Sequence, residues 1–412
     1  VPTPRYYAEA ITGLYSSQWQ AAMDAEMASW KSIGTYVDEV PPPGANIVDG
    51  MWIFRVKRPL GSPPAFKARY VARGFSQQKG VDYFQTFSPT PKMTTLRVLL
   101  HVAAQRDYKL HSLDFSTTFL QGSLHEEIWL RLPPGFTGSF PAGTQWSLRR
   151  PVYGLRQAPR EWHDTLRTTL AVLGFTPSTV DLSLFYAPTR RCRRSTSSCM
   201  SFSASASSSP RHSPLLCLPA TRSQLHLRTS PTSSMGLVLG GRGPVVLTGH
   251  ADSSWVDDSA TQRSSQGYTF SLGSGFVSWQ STRSSLVLSS SCKAEIYAGA
   301  MATQELHWLT YLLTDLGEEP RSPPVLYVDN KATIALCQEH RLEHRLEHRT
   351  KHIALRYFLA RELQQRGQLR LAYVATRANT ADIFTKALPP GDHQRFSTVL
   401  GLVPTFPHLL TA

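Results

Sequence analysis

Paired cysteines, long apolar runs and, through one extended stretch, acidic residues are what this sequence lacks. Its five cysteines, Cys192, Cys199, Cys217, Cys292 and Cys337, form no CxxC pair and no Cys/His ligand cluster, which argues against a disulfide framework or a zinc site. No run approaches the roughly 18 apolar residues that span a bilayer, and VPTPRYYAEA has no signal-peptide layout. An intracellular protein, cytoplasmic or nuclear and without a membrane partner, is therefore expected. The chain opens without Met, so a piece of a longer protein is expected as well.

Acids are scarce overall: 29 Asp plus Glu stand against 43 Lys plus Arg, for a net charge of +14. That balance favours a polyanionic partner, although a ribosome-bound, membrane-surface or Arg-rich disordered chain carries the same signature. With 412 residues and 41% hydrophobic content there is enough apolar material for two or three cores.

The deficit becomes absolute between Asp181 and Asp252, where no Asp or Glu occurs. Within it, residues 188–234 are rich in Ser, Arg, Pro and Thr and hold three of the five cysteines. Such a composition does not bury enough apolar surface to pack as a domain, so a disordered basic linker is one reading. The abrupt change on both sides favours the other, a shifted reading frame or mis-joined exons.

Globular sequence flanks this stretch. In WQAAMDAEMASWKSIG, Trp19, Met23, Met27 and Trp30 recur at helical spacing before a Gly stop and the PPPG turn at Pro41 to Gly44. MWIFRVKR and AFKARYVARGF, joined by GSPP, read as a hairpin with basic residues on its strands. Beyond Met235, VVLTGHADSSW, YTFSLGSG and FVSWQSTR read as strands, and SSCKAEIYAGAMATQELHWLTYLLTDLG as a long helix ending at Gly317. PPVLYVDN (strand), KATIALCQEH and HIALRYFLARELQQRG (helices), LRLAYVAT (strand) and NTADIFTKAL (a last helix) follow, implying a mixed sheet covered by helices. The tandem repeat EHRLEHRLEHR sets His340, His344 and His348 at i, i+4 spacing, but no further ligand is spaced to close a metal site. A solvated helix lengthened by sequence slippage is the preferred reading.

Four acids stand out by position. Asp252 is expected just after the first strand of this zone, Glu295 on the long helix, Asp329 at the end of VLYVD, and Asp382 at the start of the last helix. Strand ends and helix starts converge readily on one cleft. Phosphodiester hydrolysis with two divalent ions about 3.5 to 4 Å apart needs such clustered hard oxygen ligands. Taken singly, each acid also has an ordinary role as turn former, solvent-facing helix residue, cap or helix-dipole partner.

Order and context favour the metal site. GHADSSW, SSCKAEIYAGA, LYVDNKATIAL, HRTKHIALRYFLARE and NTADIFTKAL resemble the ribonuclease H domain of copia-type retrotransposons, from Met235 to about Leu388. The resemblance implies that Asp252, Glu295, Asp329 and Asp382 hold Mg2+, with Mn2+ an alternative, and that the partner is an RNA:DNA hybrid or another nucleic acid. No protein partner can be inferred. Asp257 and Asp258 read as surface residues, and an extra turn from the repeat would rotate Lys351 and His352 relative to the cleft.

The first half resembles the reverse transcriptase of the same elements through WQAAMDAEM, MWIFRVKR, FKARYVARGFSQQKGVDYFQTFSP, LDFSTTFLQG and PVYGLRQAPREW, over about Trp19 to Phe185. By that resemblance Asp114 is a catalytic metal ligand of the palm, Lys67, Arg69 and Arg73 face nucleotide phosphates, and Tyr153 and Gly154 lie under the nucleotide. The Asp-Asp hairpin that should follow DLSLFYAPT is absent, and the acid-free stretch stands in its place. Expected, then, are an α/β and α+β chain with reverse transcriptase fingers and partial palm over 1–187, an unstructured or frame-shifted segment over 188–234, a ribonuclease H-like domain over 235–390 and a tail over 391–412. The polymerase is expected to be inactive and the nuclease ligand set complete. A non-catalytic basic nucleic-acid-binding remnant or a non-functional pseudogene product are the alternatives.

Overall fold

The computed structural model describes residues 2–58, 63–113, 115, 117–136, 140–187, 199–201, 216–217, 224–228, 235–241, 244–258, 260–338 and 359–404. Their fold is mixed α/β, arranged as two compact units. One is made of residues 1–90 and 112–175, the other of 91–111, 176–202 and 207–412.

In the first unit, α1 (Tyr7–Thr12) precedes α2 (Ser16–Ile33), the helix expected from the Trp/Met spacing, which ends at Gly34 with a positive φ of 69°. Short strands β1 (Tyr36–Glu39) and β2 (Ile47–Val48) lead to the hairpin of β3 (Gly50–Lys57) and β4 (Ala65–Ala72), in which Arg55 pairs Lys67 and Ile53 pairs Arg69. Strand alternation sorts its side chains. Trp52, Phe54, Ala68 and Tyr70 are buried, and Trp19 of α2 meets Phe54 and Phe66 edge to face at 5.2 and 4.8 Å. Arg55, Lys57, Lys67 and Arg69 alternate onto the other face. β5 (Trp129–Leu130) and β6 (Gln145–Leu148) complete a four-stranded sheet of order β1-β6-β5-β2, and α4 (Ala158–Val172) closes this unit.

The second unit begins with α3 (Met93–Gln105), β7 (Thr176–Pro177) and β8 (Leu184–Tyr186). Val98, Leu100, Val102 and Leu184 share one core with the sheet residues described next, so these segments belong with the C-terminal half although they precede residue 235. Burying each such side chain contributes about 1.5–3 kcal/mol. Inside the 188–234 stretch, β9 (Cys199–Ser201), β10 (Leu216–Cys217) and β11 (Gln224–Arg228) pair as strands, β11 against β12 (Met235–Gly240); the rest of that stretch lies outside the described residues.

The main sheet has order β15-β14-β13-β16-β17. β13 (Leu247–Asp258), β14 (Arg263–Leu272) and β15 (Gly275–Arg283) run antiparallel, whereas β16 (Val325–Val328) and β17 (Arg370–Tyr373) are parallel to β13 and to each other. The sheet is mixed and helix-covered, as expected. α5 (Ser291–Asp315) packs on it, started by Ser290, whose Oγ accepts from the Lys293 N–H at 3.3 Å, and followed by Gly317 with φ 73°. α6 (Lys331–Gln338) and α7, described over 359–365, follow β16. The EHR repeat with His340, His344 and His348, and the neighbouring Lys351 and His352, lie outside the described residues.

Two expectations need correction. NTADIFTKAL is not an α-helix: Thr380–Phe384 form a 3-10 turn, because the Asn379 side chain caps the Ala381 N–H and the turn closes through i, i+3 bonds such as Asp382 N–H to Asn379 O. Residues 390–404 are structured as α8 (Pro390–Val399) and β18 (Leu402–Pro404), and β18 gains backbone partners by pairing with β12.

Candidate metal centre

The parallel pairing of β13 with β16 builds the centre. Ala251 lies opposite Val328, the last residue of β16, so Asp252 and Asp329 follow at neighbouring positions. Asp252 was expected beyond its strand; it lies inside β13, which continues because β14 stays paired with it to Asp258 after β16 has ended. Glu295 comes from the second turn of α5. One carboxylate oxygen from each of Asp252, Glu295 and Asp329 lies within 4.8 Å of the others.

Asp382 reaches the same place by another route. Gly267 is the β14 partner of Asp252, and a Cβ there would come within 2.9 Å of Phe384 and Thr385, so its missing side chain lets the 3-10 turn settle on the sheet. Asn379 Nδ2 donates to the Ala251 carbonyl at 3.0 Å, and the Thr269 and Thr380 hydroxyls share a hydrogen bond of 2.7 Å. Asp382 is then joined to Asp252 by Lys386, whose Nζ donates to Asp252 Oδ1 and to Asp382 Oδ1 at 3.1 Å each. Thr385 Oγ1 donates to Asp252 Oδ2, and Thr376 Oγ1 to Asp329 Oδ2 at 2.8 Å. Sequence reasoning missed Thr376, Asn379, Thr385 and Lys386; the i, i+4 spacing of Asp382 and Lys386 was the signal available for the last.

The electrostatics suit a cation. Burial, then the charges of Asp252 and Asp329, push the Glu295 carboxyl up to about 9. Burial, then Asp252, raises Asp382 to about 7. Glu295 Oε2 is shut off from solvent and has no hydrogen-bond partner. A buried carboxyl with one oxygen unpartnered and two further carboxylates beside it is stabilised by a proton or a metal ion, and three hard oxygen donors fit a divalent cation of the Mg2+ or Mn2+ kind. Asp257 and Asp258 take no part: Asp257 accepts from the Ser265 N–H and hydroxyl, and Asp258 pairs with Arg283 at 2.7 Å.

In the first unit, Asp114 lies outside the described residues. The structure brings the other expected residues close together. The Arg69 guanidinium stacks over the Tyr153 ring at 4.7 Å, the Ala72 N–H donates to the Tyr153 carbonyl at 2.8 Å, and Gly154 sits against Ala72 with φ 92°. Lys67 is half-buried on the same strand face, and Arg73 is exposed just beyond it.

Residues 35–192 match the family described as reverse transcriptase (RNA-dependent DNA polymerase). Beyond that segment, 96% of the chain aligns at 28% identity with the retrovirus-related Pol polyprotein from transposon RE2 of Arabidopsis thaliana, and 97% aligns at 25% identity with that from transposon TNT 1-94 of Nicotiana tabacum. The chain is homologous to copia-type retrotransposon Pol polyproteins. It spans about a third of their length, 34% and 39% respectively. These alignments run over 509 and 521 positions, more than the 412 residues present, so each Pol polyprotein carries residues without a counterpart in this chain. Among solved structures, the N-terminal RNase H domain of a Mycobacterium tuberculosis protein aligns at 13% identity over 37% of this chain and 98% of its own, with a TM-score of 0.25. No helix among the described residues is long and apolar enough to cross a membrane.

Proposed function

We propose that the second unit is a divalent-cation-dependent ribonuclease H that hydrolyses the RNA strand of RNA:DNA hybrids. The observation that carries this reading is the Asp252, Glu295 and Asp329 group with its orphaned Glu295 oxygen. These residues, with Asp382 adjoining, would hold Mg2+, which when bound supplies Lewis acidity at the scissile phosphate. The protein's own contribution is to fix the donors: the interior of β13, the end of the neighbouring β16 and one helix set their spacing, and Thr376 and Thr385 orient Asp329 and Asp252.

The polymerase is proposed to be inactive. Two-metal strand synthesis needs carboxylate partners for Asp114, and none occurs between Asp181 and Asp252. What this unit retains is the basic face of β3 and β4, which supports a second role, binding a nucleic-acid backbone without chemistry.

The deciding experiment gives the full chain a labelled RNA:DNA hybrid, with Mg2+ or with chelator, beside Asp329→Asn. Cutting that needs Mg2+ and falls by about two orders of magnitude in the variant, on the order of 3 kcal/mol in the barrier, supports the nuclease. Salt-sensitive binding without cutting leaves the binding role, and primer extension by the same protein would refute the inactive polymerase.

A further inference from the structure

Lys386 is the one element of the centre that does not fit a plain cluster of metal-binding acids. Its ammonium group lies 3.1 Å from Asp252 Oδ1 and 3.1 Å from Asp382 Oδ1, and so bridges a member of the three-carboxylate group to an acid outside it. Asp252 is fully buried, and both of its oxygens are engaged, Oδ1 by Lys386 and Oδ2 by the Thr385 hydroxyl. Asp382 is buried as well and has no place in the close group of three. Lys386 itself keeps a third of its side chain exposed, so its long stem has a path to solvent.

We propose that Lys386 is a built-in occupant of a cation position between Asp252 and Asp382, so that the free protein takes one divalent ion, at Asp252, Glu295 and Asp329, and a second only when Lys386 swings out. This rests on the metal-dependent nuclease reading. The physical case is charge and space. Two buried carboxylates side by side repel and need a counter-charge, and an ammonium group supplies one without a metal. A divalent ion placed between the same two oxygens would meet a like charge at contact distance, so the two cations exclude each other. Lys386 therefore holds Asp382 in register while the site is empty, and makes occupation of the second position conditional on its own departure. A substrate phosphate arriving at the cleft is the kind of anion that would draw the ammonium away.

The test counts bound ions rather than turnover. Mn2+ bound per full-length chain is measured by titration calorimetry and by electron paramagnetic resonance of free Mn2+, for the wild type, Lys386→Met and Asp329→Asn. One ion on the wild type, and on Lys386→Met either a second ion or about tenfold tighter total binding, is the expected result. Two ions of similar affinity on the wild type, or an unchanged count and affinity in Lys386→Met, would overturn the proposal and leave the nuclease reading standing. No Mn2+ on the wild type, or equal binding by Asp329→Asn, would remove the nuclease reading and this proposal together. Lys386→Gln keeps a hydrogen-bond donor without the charge and serves in place of Lys386→Met if the latter does not fold; two ions of similar affinity on the wild type overturn the proposal without any variant.

Discussion

The side-chain amide of Asn379 donates to the carbonyl of Ala251 at 3.0 Å, with both residues fully buried. One hydrogen bond thus fastens the turn that carries Asp382 and precedes Lys386 to the strand residue just before Asp252. Replacing Asn379 by Ala removes this bond and the cap on the Ala381 N–H, and leaves a buried carbonyl without its donor. The expected cost is about 1–3 kcal/mol, read as a lower midpoint in urea. Because Asp382 loses its anchor while Asp329 keeps its own, hybrid cleavage should fall further than the loss of folded protein accounts for. Cleavage that merely tracks the folded fraction would show that the turn finds its place without Asn379.

Gly154 is the tightest backbone approach in the first unit. A Cβ on it would lie 1.9 Å from the Ala72 carbonyl oxygen, and its φ of 92° is disfavoured for other residues. Gly154→Ala must therefore separate the Tyr153 loop from the end of β4. Destabilisation of this unit by more than about 3 kcal/mol is expected, seen as loss of its unfolding transition in calorimetry.

Much of this was legible along the chain, and what was not has a common cause. Helical spacing and strand alternation located α2 and the β3–β4 hairpin, which bury one face, while apolar runs bounded by turns located β13 to β15, of which β14 is buried on both faces, and α5. The three strand and helix acids were found by order and context, since Asp252, Glu295 and Asp329 stand on elements with clear patterns of their own. Lys386, Thr385 and Asn379 escaped notice because their roles exist only once a 3-10 turn is laid against β13, and nothing periodic marks that contact. The allegiance of α3 was hidden for the same reason. MTTLRVLLHVAAQ declares an apolar face but not which core receives it. β18 is three residues long, too short for a pattern, and owes its existence to an edge of β12 that accepts it.

His101 turns that hidden packing into a pH dependence. It lies on α3, fully buried, with Nδ1 accepting the Gly240 N–H of β12 at 3.1 Å, and burial lowers its pKa to about 4. The folded protein therefore holds His101 neutral where the unfolded chain, titrating near 6.5, begins to bind a proton. Its contribution is complete above about pH 6.5 and is lost as the pH falls towards 4, by up to about 3 kcal/mol. His101→Gln keeps an acceptor but does not titrate, so urea midpoints at pH 5 and 7.5 should lie closer together in the variant than in the wild type. Equal spacing in both proteins would exclude His101 as a source of the acid sensitivity.

On the basic hairpin face, Arg69 and Arg73 should respond differently to removal. The Arg69 guanidinium is stacked on Tyr153, so Arg69→Ala loses packing along with charge, whereas Arg73 is exposed and Arg73→Ala leaves stability nearly unchanged. If this face meets a phosphate backbone, each lost contact lowers the dependence of log affinity on log salt by about 0.9. Anisotropy of a labelled hybrid, titrated at several salt concentrations, should thus give a shallower slope for Arg73→Ala at an unchanged melting temperature. A slope identical to that of the wild type would place the nucleic acid elsewhere, because a cation that touches no phosphate releases no counterion when it is removed.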